Sequence, residues 1–301
     1  MPLVLTVDVE DWLQSTVDTS LPIAERALRN TERLLDLLSE KNRKVTCFVL
    51  GKFAAKYPGC VRRIAEEGHE VASHGYGHDP VTTQSPEEFR EDVRRSKGAL
   101  EDLTGKEVAG YRAPRFSIVR DTIWALDILA DEGFSYDSSI HPVLARYGIP
   151  DWPPQPVRVD GSSGRRLVEL PAATFAGFGR RWPVAGGGYH RLLPWPLIRH
   201  AIGGTLSRGE VFVAYCHPYE FDPDEFVHVG YPLSLKMRLH QGLGRRGFEA
   251  KFRRMLDAFE STLAGSLARQ REWPRYAGAG RPAGSGLTVS GEAAAARDAH
   301  G

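Results

Sequence analysis

The chain has 301 residues, of which 42% are hydrophobic and 26% charged, and 39 Lys and Arg against 38 Asp and Glu give a net charge of +1. That balance excludes a global field that would attract nucleic acid or an anionic membrane surface. The three cysteines lack zinc-type clustering, and their odd number argues against a disulfide framework, so we expect a globular protein in a reducing compartment.

The first half of the chain alternates between strand-like and helix-like segments. Apolar runs predict strands at residues 3–7, 45–50, 70–73 and 108–112. Between them, apolar positions at helical spacing predict a helix over 23–40. A capping box formed by Ser85 and Glu88 begins another helix that Gly105 ends. This alternation is typical of parallel α/β architecture.

The second half of the chain interrupts the alternation once. Helices are predicted over 121–132, 195–206 and 247–263, and a strand over 211–216. Residues 157–170 have the pattern of a β-hairpin that turns at a Gly-Ser-Ser-Gly sequence. We therefore expect one catalytic domain over residues 1–275, followed by a disordered tail over 276–301 that is rich in Ala, Gly, Ser and Arg.

Nothing in the sequence predicts a targeting or membrane segment. The first seven residues lack a basic region and are too short for a signal peptide. No apolar run approaches the roughly 20 residues of a membrane span. We therefore expect a cytoplasmic protein without a membrane span.

Polar motifs follow the predicted strands at the ends where parallel sheets collect functional groups. Asp8, Glu10 and Asp11 follow the first strand, and His74 and His78 follow the third. The sequence Arg-Ala-Pro at 112–114 and His-Pro at 217–218 follow two later strands. Two imidazoles four positions apart can bind one divalent cation if a carboxylate completes the set.

Taken together and in this order, the motifs resemble those of polysaccharide deacetylases of the NodB-homology type, in carbohydrate esterase family four. The resemblance covers residues 3–221, from Thr-Val-Asp-Val-Glu at the first strand to Tyr-Cys-His-Pro at 215–218. A finer likeness, carried by residues 8–12, 186–194 and 217–223, is to a subgroup found beside exopolysaccharide and exosortase loci. It implies a distorted (β/α) barrel, here with a hairpin insertion.

The resemblance implies that His74 and His78 bind Zn²⁺ or a similar cation. The family usually has a second Asp directly after the first as another ligand, whereas Val9 stands there in this chain. Residues i and i+2 of a strand share a side, so Glu10 is our predicted third ligand. Asp11 is the rival, because a bulge or an early strand end would turn it inward.

The resemblance also implies roles for three further side chains. Asp8 would be the general base, Arg112 would keep it ionised and oriented, and His217 would be the general acid. The backbone N–H of Arg115 would be an oxyanion donor. Asp137 is less secure, because the family's fourth motif often has another Asp before Trp to orient the acid histidine, and Ile-His stands there instead.

The expected function is hydrolysis of the N-acetyl group of an N-acetylhexosamine unit in a cell-surface polysaccharide or its precursor, which could be lipid-linked. One alternative is an allantoinase-like hydrolase of a small cyclic amide, since allantoinases share this fold and metal pair. Another is a catalytically silent carbohydrate-binding relative, a reading that the Val9 departure leaves open. The sequence does not determine the oligomeric state.

Overall fold

A computed structural model describes residues 3–226, 231–270 and 272–276. The strands are Leu3–Val9 (β1), Thr46–Val49 (β2), Glu70–Ser73 (β3), Gly110–Tyr111 (β4), Tyr136–Asp137 (β5), Val157–Asp160 (β6), Arg166–Glu169 (β7), Thr174–Gly177 (β8), Arg180–Pro183 (β9), Phe212–Cys216 (β10) and Ser261–Thr262 (β11). The helices are Trp12–Thr16 (α1), Glu25–Glu40 (α2), Gly51–Lys56 (α3), Pro58–Glu66 (α4), Pro86–Thr104 (α5), Ala125–Asp131 (α6), Gly187–Leu192 (α7), Trp195–Ser207 (α8), Leu235–Gly242 (α9), Phe248–Ala258 (α10) and Ala264–Gln270 (α11).

One sheet organises the molecule, with strand order β10-β1-β2-β3-β4-β5-β7-β6. All neighbours in it run parallel except β6 and β7, which form the predicted hairpin and extend the sheet at β5. The irregular segment after β7 connects the β5 side of the curled sheet with β10. Ala172 N–H donates to Ile140 O, just after β5, and Ala173 N–H donates to Val213 O of β10. The predicted α/β class and barrel-like sheet are confirmed.

The sheet separates two buried layers. Alternate strand residues such as Val7 and Val9 of β1 pack outward with helices α2 to α6 in the main core. Val4 of β1 and Phe48 of β2 face inward and form a second cluster with Leu267 of α11. Helix α11 therefore packs at the amino ends of the strands, at the opposite edge from the polar side chains that follow their carboxyl ends.

Local signals predicted several boundaries correctly. Helix α5 begins after the Ser85–Glu88 capping box and ends at Gly105, whose φ is +62°. Within the described part of the chain, no helix is long and apolar enough to cross a membrane. Residues 1–2 and 277–301, which include nearly all of the predicted tail, lie outside the described residues.

Other predicted boundaries were wrong. The helix predicted over 247–263 ends at Ala258, because Ser261–Thr262 leaves the helix to pair with β1 as strand β11. The strand predicted over 108–112 has only two paired residues, Gly110–Tyr111. The helix predicted over 121–132 divides into a 3₁₀ turn and α6. The β8–β9 hairpin was not predicted.

Candidate active site

Three predicted metal ligands meet at the carboxyl edge of the sheet. Glu10 directly follows β1, whereas His74 and His78 follow β3. Glu10 Oε2 lies 2.8 Å from His78 Nε2 and 3.3 Å from His74 Nε2. All three residues are buried, and their candidate ligand atoms lie within 4.8 Å of one another. One carboxylate and two imidazoles at this spacing are a donor set typical of a catalytic zinc site.

The hydrogen bonds around these residues leave their inward atoms available to a cation. His74 Nδ1 donates to the carbonyl oxygen of Arg112 at 2.8 Å. The proton of His74 therefore lies on Nδ1, and the lone pair of Nε2 points toward Glu10 and His78. Glu10 Oε1 accepts from Ser15 Oγ at 2.9 Å. Glu10 Oε2 is buried without a hydrogen bond from any described residue, although two imidazoles lie close to it. An orphaned carboxylate oxygen between two imidazoles fits a bound cation.

The charge states also suit a cation. Burial alone would raise the pKa of Glu10, but the His78 and His74 imidazoles hold that pKa well below its usual range. Burial lowers the pKa of His78, despite the opposing effect of Glu10. An anionic carboxylate beside a neutral imidazole is the state in which both act as ligands.

Asp11, the rival third ligand, points elsewhere. Its Oδ1 accepts the backbone N–H of Gln14 at 2.9 Å and thereby caps helix α1. Its Oδ2 accepts the backbone N–H of Ala24, also at 2.9 Å. Both oxygens of Asp11 thus hold the loop that follows β1, and Glu10 is the carboxylate that the structure places with the two histidines.

Asp8 and Arg112 form a buried ion pair beside this group. Arg112 Nη1 lies 2.7 Å from Asp8 Oδ1, and the two side chains are 0% and 2% exposed. Arg112 also donates to Thr6 Oγ1 at 2.7 Å, and to Ser138 through Nε and Nη2 at 3.0 and 2.8 Å. The Phe48 ring covers the guanidinium at 4.2 Å. Arg112 therefore fixes one oxygen of Asp8 and leaves Oδ2 toward the cavity.

His217 follows β10, and its imidazole lies close to Asp8 and Glu10. Its Nε2 lies 3.9 Å from Asp8 Oδ2 and 3.7 Å from Glu10 Oε1. Burial opposes protonation of His217, but Glu220, Glu10 and Asp8 overcome it and raise its pKa. Its ring stacks on Tyr219 with centroids 4.6 Å apart. The imidazole can therefore hold a proton beside the candidate metal ligands.

Glu220 is a residue that the sequence reasoning missed. Its Oε2 lies 3.5 Å from His217 Nδ1, and its Oε1 lies 3.1 Å from Arg191 Nε. A local signal was present, because Glu220 stands three positions after His217 and accepts its backbone N–H at 3.1 Å at the start of the 3₁₀ helix Pro218–Phe221.

Asp137, whose role the sequence left insecure, lies in the core. It is 0% exposed and pairs in register with Glu169, which is also 0% exposed. Its Oδ1 accepts from Ser139 Oγ at 2.5 Å. Burial raises the pKa of Asp137, and burial together with Asp137 raises the pKa of Glu169 well above its usual range. The structure places Asp137 against a second carboxyl group inside the sheet.

A cavity of about 390 Å³ opens over these side chains. Asp8, Glu10, His74, His78 and His217 all line it. Further lining residues are mostly aromatic or hydroxylated: Ser15, Thr16, Arg115, Phe116, His141, Tyr147, Tyr189, Tyr215 and Tyr219. All the predicted metal and catalytic side chains except buried Arg112 thus line one cavity.

Strained backbone surrounds this cavity. His78, Arg115 and Phe116 have φ values of +68°, +58° and +55°, in the left-handed region. Such conformations cost about 1–3 kcal/mol each in non-glycine residues and concentrate at functional sites. Arg115 Nη2 donates to Ser15 O at 2.8 Å and so fixes the strained loop to the segment that follows β1.

Comparisons with known proteins agree with this arrangement. The polysaccharide deacetylase family model matches residues 10–150, and a domain of unknown function, DUF3473, matches residues 138–268. The first match includes Glu10, His74 and His78, and the second includes His217 and Glu220. The candidate site therefore draws its residues from both matched regions.

Two curated relatives are deacetylases. A peptidoglycan-N-acetylglucosamine deacetylase of Bacillus cereus is 30% identical over 129 residues, 39% of this chain and 47% of the relative. A chitooligosaccharide deacetylase of Bradyrhizobium is 29% identical over 111 residues, 37% of this chain and 48% of the relative. The chain spans about half or less of the length of the curated relatives it matches.

Two solved structures resemble the whole fold. A protein from Mycobacterium smegmatis assigned to the polysaccharide deacetylases has a TM-score of 0.61 at 25% identity, with 93% of each chain covered. An allantoinase has a TM-score of 0.62 at 14% identity over 89% of this chain and 88% of its own, which shows a shared fold alone. Residues 10–150 of this chain therefore match the polysaccharide deacetylase family, and the likeness to the Mycobacterium smegmatis protein extends over nearly the whole chain.

Proposed function

We propose that this protein is a metal-dependent deacetylase that hydrolyses the N-acetyl group of an N-acetylhexosamine unit in a cell-surface polysaccharide or its precursor. One observation carries the proposal: the Glu10, His74 and His78 group shares a cavity of about 390 Å³ with Asp8 and His217. The curated deacetylase relatives support the reaction class.

The residues divide the reaction between them. Glu10, His74 and His78 would hold a divalent cation, which we propose is Zn²⁺, and this ion would supply polarisation of the acetyl carbonyl and acidification of water to a pKa of roughly 7. Asp8 accepts the proton of the water that adds to the carbonyl carbon, because the ion pair with Arg112 holds Oδ1 in place and leaves Oδ2 free.

The second half of the reaction needs a proton donor. When the carbon–nitrogen bond breaks, the nitrogen takes a proton from His217, and acetate and a free amine are the products. The backbone N–H of Arg115, in the strained loop at the cavity wall, is our proposed donor to the developing oxyanion. We further propose a precursor substrate, lipid-linked or nascent, that the protein meets in the cytoplasm, as the sequence predicts.

Release of acetate from N-acetylglucosamine oligomers tests the proposal. Zinc-loaded protein should release acetate, and Asp8→Asn should lower kcat by about 10²–10⁴-fold, the range for loss of a general base. Turnover of allantoin without acetate release would support the cyclic-amide alternative. A protein that binds zinc and sugar oligomers but turns over neither substrate would support the catalytically silent alternative.

Metal content tests the ligand set separately, and neighbouring residues offer a matched pair of variants. Glu10→Gln should purify with far less zinc than the unaltered chain, because the amide supplies a neutral and weaker ligand. Asp11→Asn should retain one zinc per chain, since asparagine is also a good N-cap and Asp11 faces away from the histidines. Zinc loss in Asp11→Asn but not in Glu10→Gln would overturn the assignment.

A further inference from the structure

We propose that Glu220 is a positioning residue that orients His217 for proton donation, and that Arg191 and two glycines hold Glu220 in place. This inference rests on the proposed role of His217 as the general acid. It gives a function to the segment Gly-Gly-Gly-Tyr-His-Arg at 186–191, which the catalytic roles above do not use.

Glu220 contacts both His217 and Arg191. The side chain of Glu220 is 2% exposed. Its Oε2 accepts the backbone N–H of His217 at 3.1 Å and lies 3.5 Å from His217 Nδ1, within ion-pair distance. Its Oε1 accepts from Arg191 Nε at 3.1 Å, and the Arg191 side chain is 5% exposed. A buried arginine therefore compensates the charge that faces the imidazole.

The two glycines allow this contact. A β-carbon at Gly187 would overlap the Glu220 carboxylate, and one at Gly186 would lie 2.5 Å from Tyr215 Oη. Gly186 also forms a parallel bridge with Tyr215 of β10. The backbone of α7 therefore lies directly against the carboxylate and the strand that leads into His217. Close backbone approach explains the residue type at both positions.

The family's usual carboxylate partner for this histidine is replaced in the present chain. Ile140 and His141 stand where the fourth motif often has the second Asp, and Asp137 pairs with Glu169 in the core. Glu220 is the carboxylate within 4 Å of His217 Nδ1 among the described residues. The orienting group therefore lies in the turn after β10 instead of in the motif at β5.

This geometry determines which nitrogen of His217 faces the substrate. A carboxylate beside Nδ1 favours a proton on that nitrogen, and the imidazole then presents Nε2 to the cavity. Stacking on Tyr219, with only 11° between the ring planes, fixes the ring plane as well. When the neutral ring takes up a second proton, that proton lies on Nε2, and its transfer to the departing nitrogen returns His217 to the Nδ1–H form.

A comparison of two leaving groups separates positioning from a general structural role. An amine must be protonated as it leaves an N-acetylglucosamine oligomer, whereas 4-nitrophenolate leaves 4-nitrophenyl acetate as a stable anion. Glu220→Gln should lower kcat for the oligomer about 10²-fold, the lower range for general acid catalysis. Its KM, zinc content and ester hydrolysis should stay within about threefold of the unaltered chain, well inside one factor of ten.

Glu225→Gln is the matched control. Glu225 is also buried and lies five residues further on, but its Oε2 accepts from Asn30 Nδ2 at 3.1 Å instead of facing His217. This variant should hydrolyse both substrates like the unaltered chain. Gly187→Ala should displace the Glu220 carboxylate and reproduce the selective loss on the oligomer. An equal loss on both substrates in Glu220→Gln, or no loss on the oligomer, would overturn the proposal.

The tautomer of His217 gives a readout that does not depend on turnover. In ¹⁵N-labelled, zinc-loaded protein at a pH where the ring is neutral, long-range ¹H–¹⁵N spectra should show the proton on Nδ1 of His217. A proton on Nε2 would overturn the positioning role even in an active enzyme. If the unaltered chain shows the Nδ1–H tautomer but releases no acetate, the proposed function fails and the positioning of His217 stands.

Discussion

Removal of the buried charge pair between Asp8 and Arg112 should reveal strong coupling between the two residues. Arg112 donates four hydrogen bonds, to Asp8, Thr6 and twice to Ser138, and it is 0% exposed. Arg112→Met removes all four donors and leaves the Asp8 carboxylate buried without its cation. Asp8→Asn removes the anion and leaves the guanidinium with a neutral partner.

The size of each loss in unfolding free energy depends on which buried charged groups are left without a partner. Arg112→Met should lower the free energy of unfolding by about 3–5 kcal/mol, the usual cost of breaking a buried ion pair from one side. Asp8→Asn should cost about 1–3 kcal/mol, because an amide oxygen can still accept from the guanidinium. The double variant has neither buried charge, so its loss should be smaller than the sum of the two losses by about 2–3 kcal/mol.

Urea unfolding of the four proteins at pH 7, with a chelator present so that metal affinity does not contribute, measures this coupling. Arg112→Lys extends the series, because lysine keeps the charge but lacks the planar fork that reaches Asp8 and Ser138 together. Its loss should lie between zero and that of Arg112→Met. Losses that add within about 0.5 kcal/mol would show that the pair is not energetically coupled and would refute the reasoning.

Two further predictions concern buried titratable groups. Burial lowers the pKa of three histidines to about 4, namely His69, His141 and His190. The unfolded chain binds their protons near pH 6.5, so the stability they contribute is complete above that pH and is lost as the pH falls toward 4. His190→Gln should reduce the slope of unfolding free energy against pH in this window, and an unchanged slope would contradict the prediction. Burial also raises the pKa of each of the three cysteine thiols, so a disulfide reagent at pH 8 should label them only after denaturant is added, and rapid labelling of the folded chain would disprove their burial.

Local signals explain how much of the fold the sequence could predict. The capping box formed by Ser85 and Glu88 determines where α5 starts. Because the signal is contained in four consecutive residues, this boundary can be predicted without tertiary information. The β8–β9 hairpin lacks such a signal, because its turn includes Phe178 with a φ of +54°, which a sequence rule for hairpins does not anticipate. Strand β11 depends on pairing with β1, more than 250 residues away in the chain.

The candidate site likewise contains features that local sequence patterns predicted and features that depend on tertiary contacts. Strand periodicity placed Asp8 and Glu10 on one side of β1, and the structure shows both lining the cavity. Glu220 and Arg191 are 29 positions apart in the chain, and their contact depends on the close approach of the Gly187 backbone to Glu220. No sequence pattern predicts that these two residues pair. Sequence motifs therefore predicted residues that line the cavity better than the contacts that hold them in position.

Val9 gives the sharpest test of how β1 places its carboxylates. The family usually has an Asp at this position, but Val9 is 0% exposed and packs outward in the main core, on the opposite side of the strand from Asp8 and Glu10. Val9→Asp should therefore bury an unpaired carboxyl group and destabilise the chain by more than Val9→Ala, which only leaves a cavity. Urea unfolding and zinc content should show lower stability without a gain in metal affinity. Tighter zinc binding by Val9→Asp at undiminished stability would mean that β1 can turn this residue toward the histidines, and the strand geometry that selects Glu10 as the third ligand would be wrong.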